Sequence, residues 1–305
     1  MHGDRTTFLA SLIVVATGAL WGLYWLPVRR LAELDLPGPW GTLAIVGATA
    51  VLLAPVAFAR RRRLTSAGPV TLVSVALGGV AFALYSIAFV YGRVAIVILL
   101  FFLTPVWSTL IGRYVMGWPT PRLRLAAIVV GIAGLGIMLG ADGEVPAPRG
   151  TGEWLALGSG VLWSIATTGI RTERALGPGE AAFVFAGGAV AAVLLLAPWL
   201  EPWPSPMAAP MATASVVAAI GWATAAGALW WGLSMVGLMW ATARLEPARV
   251  GILLMAEVLV GSLSAAALAG ESLEPRELAG GALVLGAGLL EVWPIRRRAG
   301  RGPRG

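Results

Sequence analysis

The sequence contains no cysteine and a single histidine, His2. Disulfides, thiolate catalysis and cysteine-ligated metals are thereby excluded, and no histidine pair exists for acid–base or metal chemistry. Lysine is absent too: all 22 basic residues are arginine, against 15 acidic ones. Charged residues make up 12% of the chain, where an ordinary soluble domain has about 25%. Hydrophobic residues make up 58%, and the mean hydropathy is +0.83. Such a chain cannot cover a water-facing surface, so soluble enzymes, disordered chains and nucleic-acid binders are ruled out. The net charge of +7 and the pI near 11.1 would otherwise suggest nucleic acid. Five of the arginines, however, sit in a short tail over 296–304, and the placement of the rest follows membrane topology.

What is present is a succession of long apolar runs. A spanning helix needs about 20 apolar residues to cross roughly 30 Å of hydrocarbon. Charges and turn signals divide the chain into ten such segments, at 8–28, 37–59, 70–92, 94–116, 123–141, 153–170, 180–199, 212–241, 248–269 and 276–293. Punctuation falls between them: Leu36-Pro37-Gly38-Pro39, Arg60 to Arg63, Pro119-Thr120-Pro121, Gly177-Pro178-Gly179 and the proline-rich stretch from Pro202 to Pro210. The first segment is not a cleavable leader, because Trp21, Tyr24 and Trp25 lead directly into Arg29-Arg30. The charge-free stretch 202–243 reads as a proline-rich loop followed by one long helix, since four prolines interrupt any second span. Ten spans with a cytoplasmic N-terminus put 17 of the 22 arginines inside and leave Arg29, Arg30, Arg93, Arg149 and Arg276 outside. The expected protein is therefore all-α, integral to a bacterial inner membrane, with both ends cytoplasmic.

The two halves resemble each other. Gly18-Ala19-Leu20-Trp21-Gly22 recurs as Gly160-Val161-Leu162-Trp163-Ser164 at an offset of 142, which also carries Arg29 onto Arg171. Further on the offset is 153, matching Val97 with Val250, Leu100 with Leu253, Leu110 with Leu263 and Gly117 with Gly270. An odd number of helices per unit forces the second copy to enter from the opposite face. The expectation is two inverted five-helix repeats, 1–149 and 150–295, followed by an arginine-rich cytoplasmic tail at 296–305.

Glu257 is the lone carboxylate within the ninth segment. A charge at that depth costs on the order of 2.5–3.5 kcal/mol on insertion scales, so it should face the bundle interior and have a partner. It could bind a substrate ammonium, act as a protonation switch, or simply hydrogen-bond a neighbouring helix. Of the 14 tryptophans, Trp40, Trp118, Trp154, Trp199, Trp203 and Trp293 lie near segment ends, as interfacial anchors do. Trp21, Trp25, Trp107, Trp163, Trp230 and Trp231 lie deeper, where an indole offers a flat apolar face and one N–H donor. Packing within the bundle is the alternative use. The candidate cavity-lining set is Trp21, Tyr24, Tyr85, Trp107, Trp163, Trp230 and Glu257. Glycine pairs four apart, Gly18 with Gly22 and Gly136 with Gly140, are expected to let helix backbones approach closely. Arg93 and Arg113 are expected to snorkel to headgroups, and Arg60 to Arg63 to fix topology and hold anionic lipid.

Leu20-Trp21-Gly22 with Arg29-Arg30, and Leu103-Thr104-Pro105-Val106-Trp107-Ser108 before a glycine-rich fifth helix, resemble the drug/metabolite transporter superfamily, in its EamA-like group. Met255-Ala256-Glu257-Val258 through Gly270-Glu271-Ser272-Leu273 is similar to that family's closing signature, with Val258 where the signature has proline. The resemblance covers essentially the whole chain and implies a ten-helix inner-membrane carrier without a cofactor, moving small metabolites outward. Within the superfamily the aromatic-rich helices look most like bacterial exporters of aromatic and other amino acids.

The expected function is secondary export of amino acids or similar small metabolites by alternating access at a central aromatic-lined cavity. Aromatic cations and drugs are the alternative cargo. The expected partners are a small-molecule substrate and membrane lipid, with no nucleic acid, in a monomer or weak dimer. No nucleotide-binding loop is present to drive transport. A membrane enzyme acting on lipid-linked substrates would need paired carboxylates, histidine or a metal site, and Asp142 with Glu144, a close acidic pair in the outer loops, lacks a base. A sensor or assembly partner would normally add a soluble module, and the segments leave no length for one.

Overall fold

A computed structural model describes residues 2–292 except 119, 121, 141–146, 171–175, 203–212, 243 and 246. Asp142, Glu144, Arg171, Arg174, Trp203, Trp293, the prolines from Pro204 to Pro210 and the arginine-rich tail therefore lie outside the described residues. Among the described residues there is no strand. The chain is all-α, and helices occupy each of the ten segments that the hydropathy pattern marks.

Several of these segments are not single rods. The first comprises α1 (His2–Gly22) and α2 (Trp25–Glu33), joined by a turn in which the Leu23 and Tyr24 N–H groups reach back to Leu20 and Trp21. Next come α3 (Pro39–Ala59), a short α4 (Arg61–Thr65) and α5 (Pro69–Tyr91). The fourth segment splits into α6 (Val94–Phe101) and α7 (Thr104–Tyr114). Pro105 accounts for that split, because it cannot donate to Phe101 and its ring crowds that carbonyl; Thr104 Oγ1 donates to the freed oxygen instead, at 2.5 Å. Then follow α8 (Arg122–Leu139), α9 (Thr151–Ile170) and α10 (Pro178–Leu200). The eighth segment is one long helix, as the proline argument requires. It runs as α11 (Thr213–Ala226), a π-helical stretch (Gly227–Leu233) and α12 (Ser234–Thr242). The ninth splits again, into α13 (Pro247–Leu254) and α14 (Ala256–Leu268), and α15 (Pro275–Val292) closes the fold.

Among the described residues, eight of these helical segments are long and apolar enough to cross a membrane. The other two, α9 and α15, are more polar: α9 carries Glu153, Ser159, Ser164, Thr167 and Thr168, and α15 carries Arg276, Glu277 and Glu291. Large apolar side chains point outward all round the bundle, with Val51 and Leu195 each 73% and Leu263 70% exposed. Water would not tolerate such a surface, whereas hydrocarbon favours it. The chain is an integral membrane protein.

Without a hydrophobic driving force between helices in lipid, close backbone packing must hold the bundle. Gly18 and Gly22 supply it where α1 meets the α13–α14 break. A methyl at Gly22 would fall 2.6 Å from the Glu257 carbonyl oxygen and 2.7 Å from the Gly261 nitrogen. Gly134 and Gly280 do the same between α8 and α15, each lying under 3 Å from where the other's backbone would meet an added Cβ. Gly136 does not, contrary to the spacing argument: nothing lies within 4 Å of a Cβ there. Gly22→Ala should therefore cost about 1–3 kcal/mol of stability, as overpacking against rigid backbone does, while Gly136→Ala should be neutral. Unfolding of the two variants in detergent checks this, and equal stability would show that α1 can retreat.

Candidate functional site

Glu257 sits in the first turn of α14, immediately beyond the interruption at Met255, and is 2% exposed. Its Oε1 accepts a 2.8 Å hydrogen bond from the Tyr85 hydroxyl of α5. Tyr85 is fully buried and stacks on Phe101, the last residue of α6, with ring centroids 4.5 Å apart. Around this pair the rings form one connected cluster. Phe82 touches Trp21, Tyr24, Tyr85, Phe185 and Trp231, the last edge-on at 4.7 Å. Trp163 joins through Phe101 and Phe185, and Trp230 through Tyr24.

A chain of neutral polar groups runs beside the carboxylate. Trp231 Nε1 donates to the Tyr24 hydroxyl at 3.0 Å, the Tyr24 and Ser86 hydroxyls meet at 3.0 Å, and Ser86 meets Thr42 at 2.7 Å. Trp231 can only donate, so Tyr24 accepts from it, while in the Tyr24–Ser86 and Ser86–Thr42 pairs either hydroxyl can be the donor. The π-helical stretch explains how two consecutive tryptophans serve one site. Its wider turn brings neighbouring side chains closer in direction than an α-turn does. Both then reach the α1–α2 junction, Trp230 donating to the Leu20 carbonyl at 2.6 Å and Trp231 to Tyr24. The Leu20 carbonyl accepts this indole beside the Leu23 N–H of the turn. Trp21 Nε1 donates to Ser234 at 3.0 Å and so ties α1 to α12.

The other buried carboxylates are treated differently. Glu271 accepts Arg29 at 2.9 Å and the Val94 and Ala95 N–H groups that open α6. Arg29 also donates to the carbonyls of Phe89 and Gly92 and lies over the Trp25 ring. Glu277 pairs with Arg93 at 2.5 Å, a contact that holds the guanidinium protonated above its usual range. Arg93 is thus engaged with protein and does not simply snorkel; it reaches the Ser272 carbonyl as well. At the opposite end of the bundle the fully buried Glu180 faces Arg60 at 3.5 Å and Arg63 at 3.8 Å. The pairs Arg29–Glu271, Arg93–Glu277, Arg60–Glu180 and Arg63–Glu180 lie at one or the other end, and Arg30–Glu33 on the exposed surface. Glu257 takes part in none of them.

Of the seven sequence-predicted lining residues, the structure brings together Trp21, Tyr24, Tyr85, Trp163, Trp230 and Glu257. Trp107 stands apart on α7, half-buried, and its Nε1 is enclosed without an acceptor among the described residues. Phe82, Phe101, Phe185 and Ser86 belong to the cluster as well, as does Trp231, one of the deep tryptophans outside the candidate set; a hydrophobic run gives no sign that a phenylalanine faces another ring rather than lipid. Trp40 is buried, not interfacial, and donates to the Pro202 carbonyl, whereas Trp118, Trp154 and Trp199 are exposed as anchors should be. The cluster is closely packed, with Tyr24, Tyr85 and Phe89 fully buried. A cavity of about 320 Å³ lies elsewhere, between α3 and α11, lined by apolar groups such as Leu36, Ala48, Val216 and Ile220. It offers no polar chemistry beyond Thr224.

No family model and no curated protein matches the sequence. Among solved structures, one described only as a crystal structure of a protein has the same fold. It superposes with a TM-score of 0.54 over 92% of this chain and 95% of its own, at 18% identity. The likeness extends over nearly the full length of both chains and concerns the fold alone.

Proposed function

We propose that this protein is a secondary transporter that moves amino acids or similar amine-bearing metabolites out across the inner membrane, as the resemblance to drug/metabolite transporters implies. Two five-helix halves would rock about the aromatic cluster, exposing it alternately to either side. The observation that carries the reading is Glu257: a fully enclosed carboxylate, with a tyrosine hydroxyl as its partner and no arginine, at an interrupted helix among aromatic rings. Structural stability alone is poorly served by such a group. A cationic substrate head would complete it, and the surrounding rings would take an apolar or aromatic body.

The halves are supported by correspondences at the offset of 153. The splits at Phe102 and Met255 fall on each other. So do α6 and α13, each of 8 residues, and α8 and α15, each of 18. Gly117 and Gly270 both take positive φ, 67° and 65°. Contacts correspond as well. Gly18 abuts the Leu254 carbonyl and Gly22 the Glu257 carbonyl. In the matching places Gly160 abuts the Phe101 carbonyl, and Ser164 donates to the Thr104 carbonyl at 3.0 Å. Such pairing of broken helices across two halves is the arrangement that alternating access uses. The ion pairs at each end would serve as latches, with Arg29–Glu271 closing one mouth and Arg60–Glu180 the other. With both made, as here, such a transporter would be closed at either end.

Glu257→Gln keeps the shape and removes the charge. Counterflow of labelled tryptophan, threonine and methionine in proteoliposomes should fall by roughly tenfold or more, as when one member of a buried charge pair is lost; wild-type rates in that variant would remove the carboxylate from the mechanism. The absence of native cysteine makes topology directly measurable. Ser66→Cys and Ala299→Cys should be protected from a membrane-impermeant thiol reagent in whole cells, and Gly150→Cys should react. Labelling of Ala299→Cys from outside would overturn the even number of crossings.

A further inference from the structure

Two polar features meet in the aromatic cluster, and their charges do not match those of a zwitterion. When ionised, Glu257 supplies one negative charge, and no ion pair among the described residues offsets it. The Trp231–Tyr24–Ser86–Thr42 chain supplies donors and acceptors but no charge. Tyr85 and Ser86 are consecutive on α5, so the carboxylate side and the hydroxyl side are anchored next to each other. Both Tyr24 and Tyr85 rest on the rings of Phe82 and Phe89, at centroid distances of 4.7–6.5 Å. An aromatic floor thus joins the two sides.

In a low-dielectric interior a ligand binds best when the enclosed assembly is neutral, since each uncompensated charge there is costly. Glu257 with an ammonium is neutral. Glu257 with a zwitterion leaves one negative charge over, and no arginine stands among the partners of the hydroxyl chain to absorb it. We infer that this site recognises a monocationic amine whose second polar group is uncharged. Glu257 takes the ammonium, the hydroxyls of Tyr24, Ser86 and Thr42 take the neutral end, and the rings hold the body between them. Two members of the hydroxyl chain come from irregular backbone, Tyr24 at the α1–α2 junction and Trp231 in the π-helical stretch. Their mutual hydrogen bond joins opposite halves, so it is the link that would break to present the Trp231 N–H and the Tyr24 hydroxyl oxygen to a ligand. The inference rests on the transporter reading for the accessibility of the site, and it narrows the cargo within that reading.

Calorimetric titration of the purified wild-type protein in detergent with tryptophanol, tryptamine and tryptophan tests it. The three share one body and ammonium, and differ in carrying a hydroxyl, no second group or a carboxylate. Tryptophanol should bind at least tenfold more tightly than tryptophan, and about fivefold more tightly than tryptamine, the worth of one neutral hydrogen bond. Ser86→Ala should erase the advantage over tryptamine and leave tryptamine binding unchanged. Glu257→Gln should erase the advantage over tryptophan. Tryptophan binding as tightly as tryptophanol would overturn the charge argument, as would no binding by any of the three. Counterflow in proteoliposomes reports separately on transport: binding in the stated order without counterflow would refute the transporter reading while upholding the site's selectivity.

Discussion

Close approach of helix backbones at glycine is the constraint on which the rest of this structure depends. In hydrocarbon the helices gain little from burying apolar surface against each other, so contact must come from fit. Gly18 and Gly22 let α1 lie directly against the backbone at the α13–α14 interruption. That approach delivers Glu257 to Tyr85, sets the α1–α2 junction beside the π-helical stretch, and aligns Trp25 with Ser264 and Arg29 with Glu271 further along the same pair. The α13–α14 break itself illustrates the point. Pro105 explains the break between α6 and α7, yet Val258 stands in the matching place and the helix is interrupted all the same. Packing, not proline chemistry, holds it open.

The second organising fact is how differently four enclosed carboxylates are compensated. Glu180, Glu271 and Glu277 each face arginine, and Glu271 also caps a helix start. These groups tie elements together near the ends of the bundle, where water and headgroups reduce the cost of charge. Glu257 has only a neutral donor. A protein that needed a strut at that position would be served as well by glutamine, and the chain keeps a titratable carboxyl instead. Function is the economical explanation for a group whose stability cost is otherwise unanswered.

Much of the fold was legible in the sequence because hydropathy reports directly on what lipid will accept. All ten helical segments, and the single long helix after the proline-rich stretch, follow from that signal. Tyr85 and Tyr91, six residues apart on α5, face different ways: one meets Glu257 and the other Glu201. What stayed hidden depends on direction around a helix. In an apolar rod every face is apolar, so period gives no phase, and Phe82, Phe185 and Trp231 could not be told from lipid-facing residues. Trp40 failed for the same reason: its position near a segment end suggested an anchor, while its rotation buries it. The π-helical stretch left no signal beyond two adjacent tryptophans. Ion pairs were missed because Arg93 and Glu277 are joined only by the packing of distant loops.

The proposed transport requires two mouths that open in alternation around the cluster. Introduced cysteines can carry spin labels without interference from native ones. A pair at Glu33 and Arg276 reports on the end with Arg29 and Glu271, and a pair at Ser66 and Arg244 on the end with Arg60 and Glu180. Pulsed electron–electron distance measurements in lipid, with and without an amine ligand, should show one distance lengthening as the other shortens. Two distances that stay fixed, or that lengthen together, would contradict the account.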